Sequence, residues 1–103
     1  MHEVVLPESL QHLTFGADFD QDIKKLNLPK GLQRLEFGFS FNQDLHGVVL
    51  PESLQCLRFG HSFNQDIMHL AMPPSLELLI LGGCFTRDIW TQKLPKGCRV
   101  MHV

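Results

Sequence analysis

The chain has 103 residues, 44% of them hydrophobic and 19% charged, and a formal net charge of −2 at neutral pH. This balance provides no basic surface for nucleic acid or for an anionic membrane, so neither is expected as a partner. The longest apolar run, Leu78 to Leu81, is far shorter than a membrane-spanning helix requires. The length predicts a single domain, residues 1–103.

A segment of 22 residues recurs along this domain. The copy at 50–71 reads LPESLQCLRFGHSFNQDIMHLA, and the copies at 6–27 and 28–49 match it at most positions. Residues 72–93 form a more divergent copy, and residues 94–103 begin another. Repetition at a fixed period of this length predicts a solenoid, in which each copy is one coil stacked on the next.

Each copy contains one short strand pattern. A leucine and a phenylalanine flank one variable residue, as Leu13 and Phe15 do, and this alternation indicates a half-buried strand. Strands at equivalent positions of stacked coils are expected to pair in parallel. We therefore predict a repeat solenoid with a single parallel sheet, an irregular or turn-rich return side and little helix. The strands are predicted near His12–Phe15, Arg34–Phe37, Cys56–Phe59, Leu78–Leu81 and Arg99–Val103.

Two columns of phenylalanine are expected to form the centre of the core. One column lies at the end of the strand and the other follows it by four residues. Buried aromatic side chains contribute large burial energies, which favours a stacked core over the alternative of an aromatic binding box. The columns consist of Phe15, Phe37 and Phe59, and of Phe19, Phe41, Phe63 and Phe85.

Glycine and proline mark the turns of each copy. A glycine after the strand predicts a bend or a positive φ angle. A proline before the strand has a fixed φ angle that suits the second position of the turn feeding the strand. These positions are Gly16, Gly38, Gly60 and Gly82, and Pro7, Pro29, Pro51, Pro73 and Pro95.

Polar residues also recur at the repeat period. Gln21, Gln43 and Gln65 predict an amide ladder along the solenoid. A column of aspartates brings like charges together, so something must compensate them. Backbone N–H donors at the turns are one explanation, and a calcium array is the other. The absence of glycine-rich ligand loops favours the first explanation for Asp22, Asp44, Asp66 and Asp88.

The shared pattern L-P-x-S-L-x-x-L-x-F-G-x-x-F-N-Q-x-I resembles the FNIP repeat, a divergent class of leucine-rich repeat. Its most distinctive part, F-N-Q-D, occurs at Phe41–Asp44 and Phe63–Asp66. The resemblance extends over nearly the whole chain and implies a leucine-rich-repeat-like solenoid. It also implies a recognition role, since such repeats often follow an F-box or a kinase domain. Asn42 and Asn64, with Asp20 and Thr86 at the same phase, are candidates for an asparagine ladder.

The sequence contains no motif for catalysis. Without a nucleotide-binding loop, a metalloprotease helix or a nucleophile elbow, we predict that the protein is not an enzyme and has no cofactor. His46 and His69 are the histidines nearest to a stacked pair, and two ligands do not make a zinc site, so no metal is expected.

The cysteines and the N-terminal residues indicate the cellular compartment in which the protein is expected. Cys56, Cys84 and Cys98 are odd in number and fall at different repeat phases, which argues against a disulfide framework. No secretory signal is visible at the start of the chain. We therefore predict an intracellular, cytoplasmic protein, in which Cys56 is the one thiol pointing away from the core.

The outward strand positions are where a partner is expected to bind. Their phase is constant while their chemistry changes from coil to coil, as on the binding faces of repeat proteins. Unconstrained solvent positions are the alternative, and an ice-binding face fails because it requires the same small residue in every coil. The predicted face consists of His12, Thr14, Arg34, Glu36, Cys56, Arg58, Leu78, Ile80, Val100 and His102.

These observations lead to two hypotheses about function. The first is a non-catalytic protein–protein interaction module, and the alternative is a structural or self-assembling element without a dedicated ligand. The apolar residues of the predicted face lie near the edge formed by the last predicted strand, and they are Leu78, Ile80 and Val100. Because exposed strand edges favour association, self-association through this C-terminal edge is a further expectation.

Overall fold

A computed structural model of the chain contains five strands in one sheet, in the order β1-β2-β3-β4-β5, and every neighbouring pair is parallel. The structure describes residues 6–23, 26–45, 47–65, 67, 70, 72–86 and 94–102, and no helix occurs within these ranges. The predicted solenoid with a single parallel sheet is therefore confirmed. The strands are His12–Thr14 (β1), Arg34–Glu36 (β2), Cys56–Arg58 (β3), Leu78–Leu81 (β4) and Arg99–His102 (β5).

Turns build the rest of each coil. In the second coil, three backbone N–H groups donate to the carbonyl oxygen three residues earlier: Leu32 to Pro29, Phe41 to Gly38 and Val48 to Leu45, at 3.2, 3.4 and 3.0 Å. Proline thus occupies the first position of its turn, and the prediction of the second position is wrong. It fits there because the turn requires its carbonyl as an acceptor and not an N–H that it lacks.

Serine hydroxyls tie the proline turns of successive coils together. The Oγ of Ser53 lies 2.5 Å from the carbonyl oxygen of Lys30 and 2.8 Å from that of Leu32, in the preceding coil. Ser75 makes the same pair of contacts one coil later, to Glu52 and Leu54. This serine column gives the turns a side-chain link in addition to the sheet.

The core follows the predicted columns. Phe41 and Phe63 are completely buried, and their rings stack at a centroid distance of 6.1 Å and an angle of 7°. Phe37 and Phe59 are also buried, with ring centroids 5.3 Å apart. The stacked aromatic core is therefore confirmed, and a binding box at these buried positions is excluded.

The glycines after the strands lie against one another. A Cβ built on Gly38, Gly60 or Gly82 would lie 2.2, 2.1 or 2.3 Å from the carbonyl oxygen of the equivalent glycine one coil earlier. No side chain fits at such a distance, so the column is explained by the close approach of two backbones. Of the two predicted explanations, the bend is present, because each of these glycines accepts the hydrogen bond of a turn, and the positive φ angle is absent. The described glycines with a positive φ are Gly47 at 87° and Gly97 at 86°.

The last strand is offset from the repeat. Strands β1 to β4 pair residues 22 apart, whereas β5 pairs Leu79 with Val100, residues that are 21 apart. The preceding turn keeps the regular spacing, because the N–H of Cys98 donates to the carbonyl of Pro95 at 3.0 Å, like its equivalent in the other coils. The last coil is therefore one residue shorter between its turn and its strand than the other coils are. We call this shortening the contraction, and Gly97, with its positive φ angle, lies beside it.

Candidate functional site

The outward face consists of strand residues that alternate with buried ones. In β2, Leu35 is completely buried, whereas Arg34 is exposed and Glu36 is half-buried. Ladder partners in a parallel sheet point to the same side, so these positions form two rows across the sheet. The first row is His12, Arg34, Cys56, Leu78 and Arg99, and the second is Thr14, Glu36, Arg58, Ile80 and Met101.

Two residues of the predicted face are not in these rows. Val100 pairs with buried Leu79, and His102 pairs with Leu81 while its Nε2 lies 2.9 Å from the carbonyl oxygen of Gly82. Their predicted outward placement is wrong, because a shift of one residue exchanges the two sides of a strand. Arg99 and Met101 take their places, and sequence reasoning missed both residues.

A shallow groove crosses the first row of the outward face. Its lining comes from four successive coils, so it runs across the strands and along the axis of the stack. Both residues that precede the strands and first-row residues line the groove. The lining consists of Gln33, Gln55 and Glu77, and of His12, Arg34, Cys56 and Leu78.

Positive charge is in excess within the two rows. Arg58 Nη1 lies 3.8 Å from Glu36 Oε1, so this arginine faces a carboxylate in the neighbouring coil. Arg34 and Arg99 are exposed and form no ion pair within the described part of the chain. As far as the described residues show, the outward face therefore presents two unpaired guanidinium groups, although the chain as a whole has a net charge of −2.

Apolar side chains occupy the C-terminal part of the outward face. Leu78 and Ile80 are half-buried, and Met101 is 49% exposed. Ile80 and Met101 are ladder partners, and Leu78 lies on the same side of the strand as Ile80, so the three side chains are neighbours. We call these three residues the apolar patch, a feature that is typical of binding surfaces when polar residues surround it.

Cys56 lies in the middle of the outward face. Partial burial raises the pKa of its thiol, and the positive charge of Arg34 opposes that increase. A protonated thiol is a poor nucleophile, so Cys56 offers a weakly polar contact rather than reactivity. The prediction that Cys56 would be the one thiol pointing away from the core is wrong, because Cys84 is exposed.

A polar ladder follows the second phenylalanine column. The backbone N–H of Asn42 donates to Asp20 Oδ1 at 2.9 Å, and that of Asn64 donates to Asn42 Oδ1 at the same distance. Thr86 continues the series, with its N–H 3.2 Å from Asn64 Oδ1. The proposed asparagine ladder is therefore present, with aspartate as its first member.

The glutamine column supports this ladder instead of forming its own. Gln43 Nε2 donates to Asp20 Oδ1 at 2.8 Å, and Gln65 Nε2 donates to Asn42 Oδ1 at 3.0 Å. The predicted stacking of glutamine amides on one another is thus wrong for Gln43 and Gln65. Each bonds to the preceding coil's ladder residue, because one oxygen there accepts from both a backbone and a side-chain donor.

The pH dependence of stability should report on the ladder. The N–H of Asn42 and the amide of Gln43 both donate to the Asp20 carboxylate and lower its pKa. A carboxyl group with a lowered pKa in the folded state contributes stability above its unfolded pKa, and this stability is lost as the pH falls through the folded value. We expect the melting temperature of the Asp20→Asn variant to fall less than that of the native chain in thermal melts between neutral pH and strong acid.

The Asp20→Asn variant keeps an acceptor oxygen, since Asn42 occupies the same position one coil later. Asp18→Asn is the matched control, because Asp18 is an exposed aspartate in the preceding turn. Equal acid dependence of the native chain and Asp20→Asn would contradict the role assigned to this carboxylate.

Two segments of the chain are similar to a known repeat family. Residues 2–40 and 41–84 each match the FNIP Repeat family. The chain belongs to the FNIP repeat family. The two FNIP matches together span the first four strands, and they include the asparagine ladder from Asp20 to Asn64.

A solved structure shares the fold of this FNIP chain. The crystal structure of CroV588, described as a novel circular LRR protein, is similar with a TM-score of 0.85 and 43% sequence identity. The similarity covers 98% of this chain and 15% of the CroV588 chain, so this chain spans a small part of that protein's length. No curated protein matches the chain.

Metal ligands are not clustered in the described part of the FNIP repeats. No group of three or more histidine, cysteine, aspartate or glutamate side chains in the described ranges could hold a metal ion. The described ranges do not include four of the residues considered above: Asp66, Asp88, His46 and His69. The explanation of the aspartate column by backbone donors therefore stays a prediction.

The described residues form no helix with the length and apolar character that a membrane span requires.

Calcium is expected to have no specific effect on the chain. If backbone donors compensate the aspartate column, isothermal titration with calcium will give no saturable heat and thermal melts will not shift. Asp44→Asn provides the control at the centre of the column. A stabilisation that saturates at stoichiometric calcium and is lost in Asp44→Asn would establish the calcium array instead.

Proposed function

We propose that this FNIP chain is a non-catalytic protein–protein interaction module that binds its partner on the outward face. One observation carries the proposal: Leu35, Leu57 and Leu79 are completely buried and identical, while the face residues beside them change in every coil. A constant frame with variable outward chemistry is how repeat proteins build binding surfaces. Membership of the FNIP family and the leucine-rich-repeat-like fold support the same role.

Site-specific photo-crosslinking tests the proposal. A photoreactive amino acid at Gln55, in the wall of the groove, is compared with the same amino acid at Asn27, which is exposed on the return side. Both chains are produced in the cells that make the protein and irradiated there. We expect a discrete adduct from position 55 alone, and unlabelled native chain should compete for it.

A double variant, Arg34→Glu with Leu78→Asp, serves as the competitor control. It reverses the charge at position 34 and replaces an apolar side chain by a carboxylate at position 78, without changing the buried columns. It should fail to compete for the adduct. Adducts of equal intensity from both crosslinker positions, or no adduct at all, would contradict the proposal.

A structural or self-assembling element is the second candidate function. Strand β5 is exposed throughout, and in the described part of the chain it pairs with β4 alone. Unpaired strand edges are sites where a second chain can add. Light scattering over a range of concentrations, with Ile80→Lys and Met101→Lys as variants, distinguishes the two: a concentration-dependent increase in mass that both variants abolish would favour self-assembly.

A further inference from the structure

We infer that the outward face binds an extended acidic peptide in which one apolar side chain lies between two carboxylates. This inference rests on the proposed function and specifies the chemistry of the partner. Three features of the face carry it: the spacing of the unpaired arginines, the groove that runs from Arg34 to Leu78, the ladder partner of Arg99, and the apolar patch beside that groove.

The spacing of the arginines matches an extended chain. Arg34 and Arg99 lie in the same row and are separated by three ladder steps, through Cys56 and Leu78. At about 4.8 Å between neighbouring strands, three steps span about 14 Å. Residues i and i+4 of an extended peptide point to the same side and are about 13 Å apart. Acidic residues at these two positions can therefore reach both arginines.

Existing ion pairs determine which arginines of the outward face are available to bind the acidic peptide. Arg58 already faces Glu36 across the sheet, at 3.8 Å. Arg34 and Arg99 form no ion pair in the described part of the chain, and both are exposed. A guanidinium group binds a carboxylate through two parallel hydrogen bonds, so a pair of unpaired arginines favours acidic side chains over neutral polar ones.

The groove and the apolar patch determine what lies between the two acids. The groove runs past Arg34, Cys56 and Leu78 in order, so residue i+2 of the peptide lies over the last two. Partly exposed Leu78, beside Ile80 and Met101, offers an apolar contact there. An apolar residue at i+2 buries surface, whereas a third acidic residue there would lose hydration beside Glu77, which also lines the groove.

The inference depends on the contraction of the last coil. With a constant period of 22 residues, Val100 would stand beside Leu78 and the first row would end without a second arginine. The missing residue instead places Arg99 there and adds Met101 to the patch. Recognition of two acids four residues apart is therefore a property of this coil and not of the repeat in general.

Selection from a random dodecapeptide phage library on the immobilised chain tests the inference without assuming the motif. Synthetic peptides then measure affinity by fluorescence anisotropy: Asp-Ser-Leu-Ser-Asp between neutral flanks, the same peptide with lysines for the acids, and one with the two acids adjacent. We expect the library to enrich acid-x-apolar-x-acid, and the first peptide to bind at least about tenfold more tightly than the other two.

Variants of the chain locate the binding site. Arg34→Glu and Arg99→Glu should each weaken binding of the acidic peptide about tenfold or more, and Leu78→Asp should do the same. The matched controls are Lys96→Glu and Val49→Asp, and neither should change the affinity for the peptide. Lys96 is an exposed cation in the last proline turn, and Val49 is 83% exposed and lies off the outward face. Far-ultraviolet circular dichroism checks that every variant is folded.

The outcomes separate the inference from the proposed function. Enrichment of peptides with another chemistry that still lose binding in Leu78→Asp or Arg34→Glu would overturn the acidic motif and leave the outward face as an interaction site. Enriched peptides that are insensitive to every face variant, or no enrichment, would overturn the inference, and the adduct at position 55 then decides the proposed function separately.

Discussion

Replacing Phe41 by alanine should lower the free energy of unfolding by about 3–5 kcal/mol. Phe41 is completely buried, and its ring centroid lies 4.1 Å from that of Phe37, 6.0 Å from Phe19 and 6.1 Å from Phe63. Truncation leaves a cavity between coils whose spacing is fixed by ladders on both sides, so the cavity cannot collapse. Urea denaturation followed by circular dichroism measures the loss.

Phe39→Ala provides a matched control within the same coil. Phe39 is 58% exposed and contacts His61, with ring centroids 4.8 Å apart. Losing one exposed ring contact should cost less than about 1 kcal/mol. Equal losses from Phe39→Ala and Phe41→Ala would mean that the second phenylalanine column does not form the core.

Gly60→Ala should destabilise the chain by about 3 kcal/mol or more, at the upper end of the range for overpacking. The added Cβ would lie 2.1 Å from the carbonyl oxygen of Gly38 and 2.6 Å from its carbonyl carbon. Both are backbone atoms and cannot rotate away, so the second and third coils must separate to accommodate the methyl group. Separation weakens the ladder between β2 and β3 and the stacking of Phe37 on Phe59.

Gly16→Ala is the control for this change. Gly16 occupies the equivalent position in the first coil, where an added Cβ meets nothing within 4 Å and the φ angle is not positive. Alanine should be neutral there, or stabilising by up to about 1 kcal/mol, because it restricts the unfolded chain. Similar urea midpoints for Gly16→Ala and Gly60→Ala would show that backbone contact does not explain the glycine column.

The repeat period made most of the fold predictable. Leucines and phenylalanines that recur every 22 residues must occupy equivalent positions, so the strands, their parallel order and the buried columns followed from the alignment of copies. Eight of the ten residues in the two outward rows were predicted for the same reason. The repeat period identifies the residues that stack on one another. The need to bury the apolar columns then determines which columns face the core and which face outward.

Contacts that depend on the geometry between coils were harder to predict. A glycine column is compatible with a bend, a positive φ angle or close backbone contact, and the sequence does not distinguish these. The same holds for Gln43, whose amide reaches Asp20 in the preceding coil instead of the glutamine above it. Stacking identifies neighbours within a column, whereas this hydrogen bond crosses from one column to the next.

The contraction before β5 had no clear signal in the sequence. Gly97 adopts a positive φ there, yet Gly31 occupies the same position in a coil of full length and does not. The chain from Leu94 to His102 has suitable residues for either register, since Val100 and Met101 can each fill an inward position. Predicting Val100 and His102 on the outward face failed because one missing residue inverts the strand.

The hydrogen bonds between coils also determine how the chain can fold. They join residues 20 to 23 apart, between strands, between ladder residues and between serine turns. Among the described residues, each coil therefore closes a loop of nearly the same length as the one before it, and the strand contacts do not require the two ends of the chain to meet. Folding can begin between any two adjacent coils and extend in both directions. Amide hydrogen exchange should be slowest in β2, β3 and β4, because each of these strands has a paired strand on either side.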